Sequence, residues 1–273
     1  MFHKIMDTMR TNHDIDFKIY GEELQFVEIE LDPNETAIAE SGAFMMMDNG
    51  IEMQTIFGDG SQRQGSGGLM GKLLSAGKRL LTGESLFMTA FTNVAQGKKR
   101  VSFASPYTGK IIVLDLQQLG GKVIAQKDAF LCAAKGVSIG IEFQRRLGTG
   151  IFGGEGFIMQ KIEGDGYAFA HAGGYVVERE LQPGEILKVD TGCVVAYTAG
   201  VDFDIEFVRG IKNFMFGGEG LFFAKLQGPG KVWLQSLPIS RLAGRIMQYG
   251  SVGGRKEEGS LLGGLGNLLD GRE

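Results

Sequence analysis

Three glutamates sit in glycine-rich knots: Thr82-Gly83-Glu84-Ser85-Leu86, Phe152-Gly153-Gly154-Glu155-Gly156 and Phe216-Gly217-Gly218-Glu219-Gly220. Gathered by a ring, Glu84, Glu155 and Glu219 would form a circle of carboxylates able to hold cations or contact a partner. Singly, each would accept bonds from turn amides or pair with a Lys or Arg, because glycine-rich turns leave N–H groups in need of acceptors. The single reading is favoured. His3, His13 and His171 lie far apart, and no His/Cys pair has zinc spacing. His171, in Phe169-Ala170-His171-Ala172-Gly173, is expected near a strand end in a structural role, with a hydrolytic base as the weaker alternative. Asp202, Asp204 and Glu206 share one strand face and are expected to be solvated.

Two glycine strings imitate nucleotide motifs and fail. Gly148-Thr149-Gly150-Ile151-Phe152-Gly153 matches G-x-G-x-x-G, but a β-like run follows where a helix must meet the pyrophosphate. Gly67-Gly68-Leu69-Met70-Gly71-Lys72 resembles a phosphate loop, yet Ser66 and Leu73 occupy its first glycine and its magnesium-binding positions. With no catalytic cluster, no metal spacing and no nucleotide loop, the expectation is a protein that is not an enzyme and has no cofactor.

A different chemistry is written between residues 69 and 81. Leu69, Met70, Leu73, Leu74, Leu80 and Leu81 form a helical stripe, with Lys72, Lys78 and Arg79 mostly away from it. Such a helix, cationic and tethered by Gly and Ser, would suit a membrane surface or a protein partner. It would equally cover the open edge of a β module, and that reading is favoured.

The chain that must position these groups has 273 residues and a formal net charge of −4. A slightly acidic chain lacks the basic surface that phosphate-backbone binding needs, so no nucleic acid is expected. Glycine is abundant, 44 residues against only 5 prolines, without a collagen period, and apolar residues at 43% are too frequent for wholesale disorder. Cys132 and Cys193 are the only cysteines, and a chain of this length has enough core to need no staple. The first 16 residues lack the features of a secretory signal, and no run of ~18 apolar residues occurs. The expected location is cytoplasmic, with a membrane-peripheral position open.

Internal similarity organises the chain. Gly136-Val137-Ser138-Ile139-Gly140-Ile141-Glu142-Phe143 recurs 64 residues later as Gly200-Val201-Asp202-Phe203-Asp204-Ile205-Glu206-Phe207, and Gly50 to Phe57 is a looser copy. The knots containing Glu155 and Glu219 are also 64 apart. Leu31-Asp32-Pro33-Asn34-Glu35 is echoed by Leu181-Gln182-Pro183-Gly184-Glu185. These repeats predict β modules over 17–106 (with an insertion, 58–82), 107–174 and 175–238, then a helix over 239–250 and a flexible Gly-rich tail over 251–273.

Alternation of Val201, Phe203, Ile205 and Phe207 with acids predicts a strand, since a period of two separates two faces. Lys110–Leu116, Tyr175–Leu181, Cys193–Thr198 and Lys231–Gln235 are further candidates. Ile239, Leu242, Ala243, Ile246 and Met247 have helical spacing, and Pro238 suits a helix start. Many short strands with glycine turns imply an all-β sandwich or barrel class.

The segments Leu31 to Thr36, Ser41 to Asp48 and Gly83 to Phe87, the two Phe-Gly-Gly-Glu-Gly knots, and Leu234-Gln235-Ser236-Leu237-Pro238 before a helix resemble one family. It is the "altered inheritance of mitochondria" biogenesis family with its bacterial relatives, and the likeness covers roughly 14–250. The resemblance implies a fold like that of the trp RNA-binding attenuation protein: a β-sandwich or short double-stranded β-helix module, three in tandem per chain. It further implies a symmetric homotrimer of nine modules, and no catalytic residue comes with it. Mitochondrial relatives are associated with the inner membrane. The function expected is therefore an oligomeric scaffold; the alternative is a module that binds a small ligand between adjacent β modules.

Overall fold

Short strands dominate because β-branched and aromatic residues alternate between glycine turns too close together for helices to fit. The computed structural model describes residues 11–40, 42–57, 87–145, 157–208 and 221–254. Among these described residues nineteen strands follow one another: β1 (Asp16–Tyr20), β2 (Phe26–Leu31), β3 (Thr36–Glu40), β4 (Phe44–Met47), β5 (Ile51–Phe57), β6 (Phe87–Asn93) and β7 (Lys99–Ala104). Next come β8 (Gly109–Asp115), β9 (Lys122–Gln126), β10 (Phe130–Ala134), β11 (Ser138–Arg145), β12 (Phe157–Glu163) and β13 (Tyr167–Gly173). The last are β14 (Val176–Leu181), β15 (Ile186–Asp190), β16 (Val194–Thr198), β17 (Asp202–Val208), β18 (Leu221–Gln227) and β19 (Gly230–Gln235), ahead of helix α1 (Ile239–Gly254). The protein is all-β, and α1 is the one α-helix among the described residues.

The strands form four antiparallel sheets, ordered β1-β2-β7-β4, β5-β6-β3-β10-β13-β8, β11-β12-β9-β16-β19-β14 and β15-β18-β17. One pairing scheme underlies them. In the set β2 to β7, the first, sixth and third strands pair in that order, as do the second, fifth and fourth. The sets β8 to β13 and β14 to β19 pair identically. A register shift falls at the same place in each third strand, between Phe44 and Met46, Phe130 and Cys132, and Val194 and Ala196. The three stretches alike in sequence, ending in Phe57, Phe143 and Phe207, each carry all or most of the fourth strand of a set, paired with one neighbour.

Two cores lie between the sheets. Val27, Ile29, Leu31, Val101 and Phe103 join Ile38 and Phe91 in the first, where Phe91 and Phe103 meet edge to face at 5.1 Å. The second centres on Phe157, Tyr197 and Phe203, whose rings stack at 5.4–5.7 Å. Full burial of each such side chain contributes roughly 1.5–3 kcal/mol.

The sequence-derived strands differ from the observed ones by at most one residue at an end, and α1 runs four residues past the expected stop at Gly250. Gly250 was a plausible terminator, but a glycine costs only about 1 kcal/mol inside a helix and need not end one. The start of the expected flexible tail, Ser251–Gly254, is thus helical, and residues 255–273 lie outside the described residues.

Candidate functional site

The glutamates Glu84, Glu155 and Glu219, the cations Lys72, Lys78 and Arg79, and both glycine strings lie outside the described residues. The strands that carry their segments are placed, however. The pairs Phe57↔Phe87, Arg145↔Phe157 and Val208↔Leu221 end the fourth–fifth strand hairpin of each set. The three segments therefore leave from corresponding hairpins.

Neighbouring sets are joined by one contact type. The third strand β10 pairs with β3, through Cys132↔Ala39, Ala133↔Ile38 and Ala134↔Ala37. The third strand β16 pairs with β9, through Ala196↔Ala125, Tyr197↔Ile124 and Thr198↔Val123. Both third strands are buried along their whole length. Two strands of these types remain over. Among the described residues β4 pairs with β7 alone and β15 with β18 alone. The consequence for β4 is exposure of four successive large apolar side chains, Phe44 at 40%, Met45 at 48%, Met46 at 44% and Met47 at 39%. On β15, Ile186 is half exposed. No motif marks these edges in the sequence, although the unbroken Phe44-Met45-Met46-Met47 run signals a strand meant for burial on both faces.

A second feature lies where the second set, the third set and α1 meet. A pocket of about 270 Å³, open on one side, is lined by Tyr107, Gln126, Asp128, Ala129, His171 and Gln235, and is bordered by Pro238 and the first turn of α1. His171 is 2% exposed. Its Nε2 lies 3.1 Å from the Tyr107 carbonyl oxygen, and the Tyr107 ring stands edge-on at 4.3 Å. A carbonyl only accepts, so Nε2 carries the proton and Nδ1 is an acceptor. That Nδ1 is buried and has no hydrogen-bond partner. Burial lowers the imidazole pKa to about 4, against a smaller opposing effect of the carbonyl bond, so the ring is neutral at pH 7. Burial, and then the charge of Asp128, push the Tyr107 phenol up to about 12. Gln235 is committed, accepting from Gly173 N–H at 2.8 Å and donating to the Gly192 carbonyl at 2.9 Å. Sequence reading placed His171 near a strand end, where it is, but had no means of seeing the cavity, whose walls come from distant segments.

Across the third set, Arg241 of α1 reaches Asp190 at 3.4 Å and the Cys193 sulfur at 3.7 Å, fixing the root of the helix beside the end of β15. Lys188 of β15 pairs with Glu206 at 2.6 Å, while Asp202 and Asp204 are exposed as expected. Among the described residues no group of His, Cys, Asp and Glu is arranged to hold a metal, and no helix is long and apolar enough to cross a membrane.

Repeated antiparallel sets with this topology define an all-β chain, and its sequence places it in a family. The chain belongs to the family described as mitochondrial biogenesis AIM24, whose model matches residues 17–237. It is 28% identical over 226 residues to the uncharacterized protein M6_Spy0233 of Streptococcus pyogenes serotype M6, covering 82% of this chain and 86% of that one. The crystal structure of protein SPYM3_0169 from Streptococcus pyogenes superposes with a TM-score of 0.65 at 24% identity, covering 86% of this chain and 99% of that one, a likeness of fold.

Proposed function

We propose that the chain is a non-enzymatic scaffold subunit that assembles head to tail, β15 of one copy pairing with β4 of the next. The observation that carries this reading is the pair of leftover edges. Within the chain, every other strand of β4's type meets one of β15's type, and each such junction is buried. An unpaired edge bearing four exposed apolar side chains is an aggregation hazard unless another strand covers it. Because each junction repeats the last, the assembly advances by a constant rotation, which closes into a ring when that rotation divides a full turn. Three copies, and so nine sets, is the number that the family resemblance implies.

The register follows from the internal junctions. The shared shift aligns Met46 with Cys132 and Ala196, and the β18 pairing aligns Val189 with Ala39 and Ala125. Met46 should then face Val189 of the next copy. In a Cys193→Ser background, Met46→Cys combined with Val189→Cys should cross-link under mild oxidation into a closed covalent oligomer. Met46→Cys with Leu187→Cys, out of register, should cross-link far less. A monomer by light scattering at micromolar concentration, without cross-linking in either variant, would refute the reading.

A further inference from the structure

We propose that residues 261–269 fold back along α1 and cover its exposed apolar stripe, as the second arm of an antiparallel helical hairpin. At about 3.6 residues per turn, Ile239, Leu242, Ala243, Ile246 and Tyr249 line one side of α1. The root of that stripe is held against the body of the protein. Ile239 and Ala243 border the pocket, and Arg241 reaches Asp190 and Cys193. Beyond the root, Ile246 and Tyr249 stand mostly exposed. A stripe that is docked along its first half and bare along its second calls for a cover.

The chain that leaves α1 carries one. Leu261, Leu262, Leu265, Leu268 and Leu269 recur at helical spacing, within an arc of about 120°. Gly263, Gly264 and Gly266 make this segment a poor helix by itself, so its leucine face depends on a surface to pack against. The connection, residues 255–260, reads Arg-Lys-Glu-Glu-Gly-Ser, polar and of a length that makes neighbouring helices antiparallel. Folding back about it sets Leu265 opposite Tyr249 and Leu268 opposite Ile246. Charge agrees with that direction, since α1 has arginines and no acid, and the same register brings Asp270 alongside Arg245. Tethering decides between occupants. A segment on so short a connection is present at α1 at an effective concentration on the order of millimolar, about a thousandfold above a second copy in micromolar solution.

The hairpin lies within one chain, so its test is independent of the head-to-tail assembly. The full-length protein is used in a Cys193→Ser background, Cys132 being buried. Under mild oxidation, Ile246→Cys with Leu268→Cys should form a disulfide within a single chain, identified by peptide mass mapping of the monomer band on a denaturing gel. Ile246→Cys with Leu261→Cys, displaced by about 10 Å along the helix, should form one at least about fivefold more slowly. In a separate variant, Tyr249→Cys should react slowly with iodoacetamide. Adding Leu262→Ser, Leu265→Ser and Leu268→Ser should speed that reaction about tenfold. All these positions lie outside the two cores, so circular dichroism should be unchanged. No disulfide, equal rates for the two cysteine pairs, or labelling of Tyr249→Cys indifferent to the leucines would overturn the proposal. So would disulfides formed only between chains, which would assign the stripe to a second copy. Protection of Tyr249→Cys that appears only with vesicles of phosphatidylcholine and phosphatidylglycerol would overturn it in favour of a lipid surface.

Discussion

Asn12 and Asp165 hold each other by reciprocal bonds. The Asn12 side-chain oxygen accepts the amide N–H groups of Asp165 at 2.8 Å and Gly166 at 3.0 Å. The Asp165 carboxylate in return accepts the Asn12 amide at 2.9 Å and both the amide and hydroxyl of Thr11. The chain ahead of β1 is thereby tied to the β12–β13 turn of another set. Asn12→Ala strands two amide donors and should cost roughly 1–3 kcal/mol. Urea unfolding measures this, and a loss below about 0.5 kcal/mol would mean that water replaces the bonds. Partial burial favours the neutral Asp165 carboxyl, but its bonds to Thr11 and Asn12 outweigh this and hold its pKa below the usual value. A second titration adds to the first at the residue scale. His13 Nδ1 accepts the Thr36 amide at 2.9 Å, and burial, helped by Lys135, lowers its pKa. With His171 lowered to about 4 from 6.5, both histidines favour the neutral form in the folded chain. The contribution of His171 is complete above pH 6.5 and is lost as the pH falls toward about 4, and that of His13 is lost in the same direction. Glu40, whose burial raises its pKa to about 7, acts in the opposite sense over the same range, so the His171 contribution is read as a difference: between pH 7 and 4 the His171→Leu variant should lose less unfolding free energy than the parent chain. A slope identical in the variant would remove His171 as its source.

At the scale of the element, two turns illustrate what the sequence carries locally. Leu31-Asp32-Pro33-Asn34-Glu35 and Leu181-Gln182-Pro183-Gly184-Glu185 form one turn twice. The Glu35 carboxylate accepts the Asp32 amide at 2.8 Å, and Glu185 accepts the Gln182 amide at 2.9 Å. Asn34 and Gly184 have φ of 70° and 79°, the left-handed region in which an ordinary side chain costs roughly 1–2 kcal/mol. Gly184→Val should therefore destabilise by at least that much, whereas Asn34→Gly should be nearly neutral; thermal melts of the pair decide. Equal melting points for Gly184→Val and wild type would show that the turn relaxes. Turns and alternating strands such as β17 were legible because their causes lie within a few residues. The strand β4 was not, because an all-apolar run has no period of its own, and its pairing depends on β7, some 55 residues away. The His171 cavity was illegible for the same reason, its walls being brought together only by the fold.

At the scale of the whole molecule, the chain has two unlike ends that match each other. The two internal junctions set the standard against which a third, between copies, can be judged. In both, the third strand is shielded and its amides are bonded on two sides. The strand β4 has the same bonds on one side only. Amide exchange follows local opening, so a strand bonded on one side exchanges fast and one bonded on both exchanges slowly. If β15 of another copy completes β4, protection of residues 44–47 and 186–190 must depend on protein concentration. Protection of β10 and β16 must not, because their junctions lie within the chain. Hydrogen–deuterium exchange from nanomolar to high micromolar concentration separates the two. The expected result is slow exchange in β4 and β15 at high concentration, matching β10, and fast exchange on dilution below the assembly's dissociation constant. Slow exchange at every dilution accessible, with a monomeric mass, would mean that a segment of the same chain covers the edge. Fast exchange at every concentration would mean that nothing does, and either outcome would end the case for a head-to-tail ring.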